Sequence, residues 1–350
     1  MESAGKEHPD AMRSDTSREI HAVLSTLPFD DRDLDQLRRA FAPAEFIQKH
    51  FLDNEGIVAA LQHVDVAVVP FDIDQRFLDA PNLRWVHCDH AGLNGSARPE
   101  VFAKGLIVTG SAGRSAPALA QHAFYFALAL AYRARSLFEQ QSKHQWGGIP
   151  GYENTRALFG GTLGIVGFGH TGQEVAALGS AFGMRTIVYS RSRPAQSDGV
   201  DVMLAADAGD TIAQLLSESD VIVLAAGLND ETYRMFSTPQ FEAMKNTSFL
   251  INIGRGGLVD HDALAAALAN GEIAGAGLDV TDPEPLPADS PLWDISNVVI
   301  TPHTTPRVED RTQRSLDVIL DNISRYRAGE PMRNALTERD LFTRRQHGRQ

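Results

Sequence analysis

The sequence predicts an α/β protein built from two doubly wound parallel sheets, and three observations support this fold class. Short apolar segments rich in β-branched residues alternate with segments of helical length, a pattern typical of parallel sheets covered by helices. A length of 350 residues is sufficient for two such units, each with its own core. Residues 162–172 combine a strand, a glycine turn and the start of a helix, as dinucleotide-binding sites do.

The composition is that of a soluble enzyme without a nucleic-acid or membrane surface. A formal charge of -13 disfavours binding to polyanions. The single cysteine, Cys88, rules out an intramolecular disulfide and fits a reducing compartment, so we expect a cytoplasmic protein. Residues 1–19 are polar and lack the apolar run of a signal peptide, and we expect a disordered tail.

The first unit is expected to alternate strands and helices up to one long helix. Strands are predicted at residues 23–27, 64–69, 83–88 and 106–109, and helices at residues 33–40, 74–80 and 116–138. The last helix is apolar but contains Gln121 and His122, so we expect it to be buried in the protein. The glycine-rich residues 146–151 after it are predicted to form a loop.

The second unit repeats the alternation of strands and helices. Strands are predicted at residues 162–166, 186–189, 221–225, 248–253, 274–280 and 297–301, and helices at residues 173–181, 211–217, 261–269 and 308–326. The last helix carries a stripe of apolar residues and is expected to cross back to the first unit, where the basic tail after Met332 rests or is loose. We therefore predict one domain at 20–126 and 306–350, and a second at 127–305.

The glycine turn has the residue types that a pyrophosphate site requires. Gly167 permits the tight turn, Gly169 allows the backbone to approach the phosphates, and Gly172 lets the helix pack close to the strand. The helix N-terminus offers free N–H groups to the same anion. In a chain with 29 glycines this spacing alone could be an ordinary turn, but the flanking strand and helix favour a nucleotide site that also includes Phe168, His170 and Thr171.

Three functional side chains follow strand ends in the second unit. Arg255, Glu284 and His303 each come just after a predicted strand, and ligands of doubly wound sheets bind at those ends. Taken singly, an Arg-Gly-Gly turn, a loop carboxylate or a loop histidine is usually an ordinary solvated group. Their occurrence together, as a cation, a carboxylate and a titratable acid, instead indicates an active site.

These motifs resemble the D-isomer-specific 2-hydroxyacid dehydrogenase family. The matching stretches are residues 161–172, 251–260, 275–280 with 284–287, and 301–303, within a similarity that covers roughly residues 83–328. The resemblance implies a Rossmann-type cofactor domain inserted into a flavodoxin-like substrate domain. It also implies a homodimer formed through the cofactor domain.

The resemblance also assigns roles to individual residues. Arg255 would bind the substrate carboxylate and carbonyl oxygen, His303 would be the general acid and base, and Glu284 would orient His303 and favour its charged form. The substrate loop Ala91, Gly92 and Leu93 would offer backbone N–H groups to the carboxylate. Asp279 would bind the nicotinamide carboxamide, with Ala226 and Ile253 beside the cofactor.

Two positions depart from the family pattern. Gln121 stands where members commonly have glutamate. Thr281 replaces a common aromatic residue, and we expect this second change to alter the pocket wall. His87 and His90 with Cys88 and Asp89 suggest a metal site at first sight, but the sequence has no second cluster of ligands, and we predict no metal.

The segment after the second strand of this unit indicates the cofactor. NAD-binding members place a carboxylate there for the ribose hydroxyls. This chain has Ser190, Arg191, Ser192 and Arg193 instead, so two guanidinium and two hydroxyl groups could surround a 2′-phosphate. We predict NADP, with NAD as the alternative. An exposed basic loop without such a role is the other interpretation.

We predict an NADP(H)-dependent reductase of a small 2-keto acid, of the glyoxylate or hydroxypyruvate type, that forms the D-2-hydroxy acid. The alternative is a nucleotide-sensing binding protein of the C-terminal-binding corepressor type, which shares the fold and the three catalytic residues. A formate-dehydrogenase-like function is disfavoured, because that branch has glutamine at the position of Glu284.

Overall fold

The structure is a computed structural model that describes residues 18–194 and 197–344. Within these ranges it contains two parallel sheets, of five and seven strands, and each sheet separates two apolar clusters. The predicted fold class is therefore confirmed. Residues 1–17 of the expected N-terminal tail lie outside the described residues, and the amide of Arg18 donates to the carbonyl of Arg327 at 3.0 Å.

The first sheet has the strand order β2-β1-β3-β4-β5, which is the flavodoxin-like order. Its strands are β1 (Ala22–Ser25), β2 (Glu45–Gln48), β3 (Val66–Val69), β4 (Trp85–Cys88) and β5 (Ile107–Gly110). The sequence did not predict β2, because this edge strand has exposed residues at both ends and a weak apolar pattern.

Four short helices surround this sheet. They are α1 (Asp31–Phe41), α2 (Asn54–Leu61), α3 (Gln75–Asp79) and α4 (Pro99–Ala103). The sequence predicted α1 and α3. It missed α2, which contains Gly56 near its start, and α4, which is only five residues long.

The predicted long helix at residues 116–138 is wrong, because two helices occupy this region. Helix α5 (Ala116–Ala131) is followed by α6 (Ala134–Ser142), and Arg133 between them adopts a left-handed backbone with φ 49° and ψ 45°. Helix α5 packs on the second sheet, where Phe126 lies against Gly277. All residues of α6 are exposed or half-buried, so the chain leaves the core at Arg133.

The second sheet has the order β12-β11-β10-β9-β6-β7-β8, a Rossmann-type arrangement with one added strand. Its strands are β6 (Thr162–Val166), β7 (Arg185–Ser190), β8 (Val202–Ala205), β9 (Val221–Leu224), β10 (Phe249–Asn252), β11 (Gly275–Leu278) and β12 (Val298–Ile300). Its helices are α7 (His170–Ala181), α8 (Ala213–Glu218), α9 (Thr238–Ala243) and α10 (His261–Ala269). The sequence missed β8 and α9.

Helix α11 (Arg311–Ala328) returns the chain to the first unit, as predicted, and buries Leu316, Ile319 and Ile323 there. Residues 333–344 then contact both units. Helix α5 runs continuously through the predicted boundary at residue 126, so the exact division into domains stays a prediction. Among the described residues, no helix combines the length and apolarity that crossing a membrane requires.

Candidate active site

Arg255 lies where β10 ends and reaches towards the first unit. The side chain of Asn252 shapes this turn, since its Nδ2 donates to the carbonyl of Arg255 at 2.9 Å and its Oδ1 accepts from the amide of Gly254 at 3.1 Å. The Nε of Arg255 donates to Oδ1 of Asn94 at 3.1 Å, and its Nη1 donates to the Gly254 carbonyl at 2.7 Å. The guanidinium is thereby fixed between the two units.

The predicted substrate loop meets this guanidinium directly. A Cβ atom added to Gly92 would lie 1.2 Å from Nη2 of Arg255, so a larger residue at position 92 would displace the guanidinium. Leu93 is buried against Gly110 in the first core. Within residues 18–194 and 197–344, the amides of Ala91, Gly92 and Leu93 make no hydrogen bond to the protein. Such amides next to a guanidinium are suited to binding a carboxylate.

Glu284 and His303 form a hydrogen-bonded pair. Nδ1 of His303 lies 3.0 Å from Oε2 of Glu284, and the other oxygen of Glu284 accepts from the amide of Thr281 at 3.0 Å. His303 has a left-handed backbone with φ 53°, an uncommon conformation that often marks functional residues. Its amide is fixed by the carbonyl of Asp279 at 2.8 Å. With Nδ1 engaged, Nε2 is the ring nitrogen left for a reacting group.

The pair favours a protonated histidine. The hydrogen bond that His303 donates to Glu284 raises the pKa of His303 above its ordinary value, although partial burial opposes this. Burial acts to raise the pKa of Glu284, but the hydrogen bonds from His303 and from the Thr281 amide outweigh it, and the pKa of Glu284 is lowered. Burial lowers the pKa of Arg255, and the charge of Glu284 partly offsets that effect. Arg255 nevertheless remains charged, as guanidinium groups do in proteins.

The glycine turn has the shape that a dinucleotide pyrophosphate requires. Gly167 adopts φ 94°, and a Cβ there would lie 2.7 Å from the backbone of Ala226. A Cβ on Gly172 would lie 2.1 Å from the carbonyl oxygen of Gly167, whereas a Cβ on Gly169 would meet no described atom within 4 Å. The middle glycine therefore faces open space at the N-terminus of α7, where a phosphate can approach the amides.

The other predicted cofactor residues surround this turn at strand ends. Ile253 is buried directly after β10, in the apolar cluster between α5 and the second sheet. Phe168 is partly buried against the same cluster. His170 and Thr171 begin α7. Ser190 ends β7, and its hydroxyl donates to the carbonyl of Ser192 at 2.7 Å.

The two arginines after β7 are both paired with carboxylates. Nη2 of Arg193 lies 3.3 Å from Asp210, and Nη2 of Arg191 lies 3.5 Å from Asp340, which belongs to the C-terminal segment. Both guanidinium groups are partly exposed. The structure thus brings the predicted basic residues together beside the end of β7.

Asp279 is buried and its carboxylate already has several donors. Oδ1 accepts from the hydroxyl of Thr301 at 2.6 Å and from the amide of Thr304 at 3.0 Å, and Oδ2 accepts from the hydroxyl of Thr305 at 3.1 Å. His122 of α5 contacts the same two threonine hydroxyls. The network joins α5 to the segment after β12, so Asp279 also has a structural role that sequence reasoning missed.

Two further contributors to the site were not predicted from the sequence. Asn94 contacts Arg255 from the first unit, and the C-terminal segment brings Phe342 and Arg344 to a cleft of about 250 Å³ that Arg255 and Glu284 also line. A larger groove, of about 1190 Å³, lies at the opposite edge of the second sheet, beside Gly161 and Asp220. Because that groove contains none of the proposed catalytic residues, the smaller cleft is the candidate substrate site.

In the histidine-rich sequence around Cys88, His87 has a structural role. His87 is fully buried between the hydroxyls of Thr109 and Ser111, at 3.0 and 2.9 Å, and burial lowers its pKa to about 4. In the described ranges no group of three His, Cys, Asp or Glu side chains could hold a metal ion.

Comparison with known proteins identifies the family. Residues 124–305 match the family profile described as D-isomer specific 2-hydroxyacid dehydrogenase, NAD binding domain. Glyoxylate reductase of Pyrococcus furiosus is 32% identical over 320 residues, which is 88% of this chain and 93% of that protein.

Solved structures give the same result. A D-isomer specific 2-hydroxyacid dehydrogenase from Xanthobacter autotrophicus, in complex with NADPH, matches with a TM-score of 0.75 and 26% identity over 91% of this chain and 99% of that one. An NADPH-dependent glyoxylate/hydroxypyruvate reductase from Sinorhizobium meliloti, in complex with NADP, matches with a TM-score of 0.73 and 25% identity over 91% and 98%. The chain therefore belongs to the D-isomer specific 2-hydroxyacid dehydrogenase family, and its second sheet is an NAD(P)-binding domain.

Proposed function

We propose that this protein uses NADP(H) to reduce a small 2-keto acid, of the glyoxylate or hydroxypyruvate type, to the D-2-hydroxy acid. The observation that carries the proposal is that Arg255 and Glu284 line one cleft and that Glu284 accepts a hydrogen bond from His303. Relatives that are named glyoxylate reductases support this substrate class.

Each residue of the cleft has a separate task in this proposal. Arg255 binds the substrate carboxylate in bidentate fashion and polarises the keto oxygen, and the free amides of the Ala91–Leu93 loop bind the same carboxylate. His303 donates a proton from Nε2 to the oxygen that becomes the hydroxyl, and Glu284 holds the ring charged until then. When bound, the reduced nicotinamide supplies the hydride.

The remaining predicted residues bind the cofactor. Gly169 and the first amides of α7 hold the pyrophosphate, Ser190 to Arg193 hold the 2′-phosphate, and Asp279 orients the nicotinamide amide. NADP is favoured because no carboxylate stands at residues 190–193, where two arginines do. Three other predicted residues, Phe168, Ala226 and Ile253, would contact the dinucleotide through their backbone and apolar surface.

A panel of 2-keto acids with both cofactors tests the proposal. We expect loss of the nicotinamide absorbance with glyoxylate or hydroxypyruvate and NADPH, and a lower kcat/KM with NADH. Formation of the L-alcohol, or no turnover of any 2-keto acid, would refute it. The corepressor alternative predicts peptide binding without turnover. It is not favoured, because relatives of this chain are named glyoxylate or glyoxylate/hydroxypyruvate reductases.

We further propose a cytoplasmic homodimer formed through the cofactor domain. Support for the dimer comes from large apolar side chains that are exposed on α5, directly after it, on α6 and in the following loop, namely Tyr125, Tyr132, Phe138, Trp146 and Phe159. Trp146 is fully exposed, and Phe138 is 67% exposed. Support for the compartment is the free, buried thiol of Cys88.

The mass in solution tests the dimer. We expect light scattering to give twice the chain mass for the unmodified protein and the chain mass for Phe138→Asp at micromolar concentration, because burying a carboxylate without a partner is costly. Leu52→Asp is the matched control, since Leu52 is similarly exposed (70%) but lies on the first unit. Dissociation by Leu52→Asp, or a monomeric unmodified protein, would contradict this interface.

A further inference from the structure

The C-terminal segment follows a path from the first unit to the cofactor unit. The amide of Leu336 donates to Val108 of β5 at 2.8 Å, so the segment starts on the edge of the first sheet. Residues 337–344, called the strap below, then cross over. Leu341 accepts from the amide of Asp230 at 3.0 Å, and the amide of Phe342 donates to Ala97 of the first unit at 3.1 Å.

The strap lies across the strand ends where the adenosine half of a dinucleotide is expected. The backbone carbonyl of Arg339 accepts from Nη2 of Arg191 at 3.3 Å and from Nδ2 of Asn229 at 3.0 Å. Arg191 follows β7 and Asn229 follows β9, and these strands lie on either side of β6, which leads into the glycine turn. A single carbonyl thus bridges the two loops that border the crevice of the sheet.

The strap also adds charged side chains to the arginines after β7. Arg339 makes a bidentate pair with Asp207, at 2.7 and 3.0 Å, and Asp340 pairs with Arg191. The amide of Asp207 donates to the carbonyl of Arg191 at 2.9 Å. The guanidinium groups of Arg191 and Arg339 therefore share one small region, and both are partly exposed to an incoming ligand.

We propose that Arg339 is a third guanidinium ligand of the 2′-phosphate of NADP, supplied by the C-terminal strap. This inference rests on the NADP preference proposed above. A 2′-phosphate carries nearly two negative charges and offers three acceptor oxygens, so it can replace carboxylates as the partner of arginines. In the complex, the phosphate takes the place of Asp207 on Arg339 and of Asp340 on Arg191.

The Arg339–Asp207 pair can be broken from either side, and this separates ligand binding from simple anchoring of the strap. Arg339→Ala removes the cation, whereas Asp207→Asn removes only its competitor for the phosphate. If the pair merely anchored the strap, both changes would have the same effect on both cofactors. If Arg339 binds the phosphate, the two changes act on NADPH in opposite directions and spare NADH.

The experiment is isothermal titration of the full-length protein and its variants with NADPH and with NADH, without substrate. We expect Arg339→Ala to raise the Kd for NADPH about tenfold or more, as for loss of a charge-assisted contact, and to change the Kd for NADH less than twofold. Asp207→Asn is expected to lower the Kd for NADPH by about two- to fivefold. Arg185→Ala is the control, because Arg185 is the first residue of β7 and therefore lies at the end of this strand that is opposite Arg191.

The results distinguish this inference from the proposal that it rests on. An unmodified protein that binds NADH as tightly as NADPH overturns both. A preference for NADPH that Arg191→Ala abolishes but Arg339→Ala leaves intact overturns the role of Arg339 alone. Equal weakening of NADPH and NADH by Arg339→Ala, or weakening of NADPH by Asp207→Asn, also overturns it, because the pair is then an anchor. A large change with Arg185→Ala would mean that net charge, not contact, governs the affinity, and would overturn it too.

Discussion

At the residue scale, Glu284 controls the proton affinity of His303 through the 3.0 Å hydrogen bond between them. Reduction requires the imidazolium form, and the hydrogen bond that His303 donates to Glu284 raises the pKa of His303. Glu284→Gln removes the charged partner, so the pKa of His303 falls and its proton is lost at lower pH. We expect the alkaline limb of kcat/KM for reduction to move towards acid, with much of the rate recovered when the pH is lowered.

A pH profile of kcat/KM for the two proteins is the measurement. Asp282→Asn is a matched control, because Asp282 lines the same cleft but is not among the groups that shift the pKa of His303. The alkaline limb of this variant should stay near that of the unmodified enzyme. His303→Gln should instead lower the rate at every pH, by about 10²–10⁴-fold for a lost general acid. If the limb of Glu284→Gln does not move, Glu284 is not the partner of His303.

The sequence located the residues that follow strand ends but not the groups that hold them in place. Arg255 and His303 could be found because each follows a buried strand in a recognisable pattern. Asn94 contacts Arg255 across 161 positions of sequence, and the Thr281 amide supports Glu284 through the backbone. Neither contact has a local signal, since one depends on the packing of two units and the other on a loop conformation.

At the element scale, two glycines of the same turn have different roles: Gly172 allows α7 to pack against the turn, and Gly169 leaves space for the cofactor. A Cβ on Gly172 would lie 2.1 Å from the carbonyl oxygen of Gly167, so Gly172→Ala must push α7 away from β6. We expect it to lower the free energy of unfolding by about 1–3 kcal/mol, as overpacking does. Gly169→Ala should leave that free energy nearly unchanged, because its backbone φ of -76° suits alanine, yet weaken NADPH binding by occupying the space for the pyrophosphate.

Urea unfolding and NADPH titration of both variants check this difference. Each variant serves as the control for the other, since both add one methyl group to the same turn. Tight NADPH binding by Gly169→Ala would place the pyrophosphate elsewhere. A fully stable Gly172→Ala protein would show that the helix can shift without cost.

The features that could not be predicted from the sequence include one edge strand of each sheet and the break between α5 and α6. Strands β2 and β8 are edge strands with partly exposed residues, so neither has the continuous apolar run of a buried parallel strand. The break at Arg133 left no proline or glycine in the sequence to mark it. The central strands, which are buried on both faces, were predicted to within a few residues because burial dictates their composition.

At the scale of the whole molecule, the two units are joined by more than the two chain crossings that the sequence predicted. Helix α5 forms one crossing, and residues 301–310 form the other, tied to α5 through His122 and Thr305 at 2.9 Å. The strap adds contacts to both units, and Arg255 reaches Asn94 across the cleft. The crossing at residues 301–310 is held by the buried His122, whereas Arg255 and Asn94 join the units through a side-chain hydrogen bond across the cleft. Short segments at the ends of elements, such as residues 301–310, are where hinges occur.

We therefore predict that the two units close on the ligands by rotation about α5 and residues 301–310. Closure would exclude water from the Arg255–His303 region during hydride transfer, and we expect the Arg255–Asn94 hydrogen bond to stabilise the closed state. Small-angle X-ray scattering should give a smaller radius of gyration with NADPH and an unreactive 2-keto acid analogue such as oxamate than for the free protein. Asn94→Ala should reduce that difference without unfolding the protein, whereas Asn82→Ala, on the surface of the first unit, should not. Identical scattering with and without both ligands would mean that the cleft is already closed in the free protein, and the hinge would have no part in the reaction.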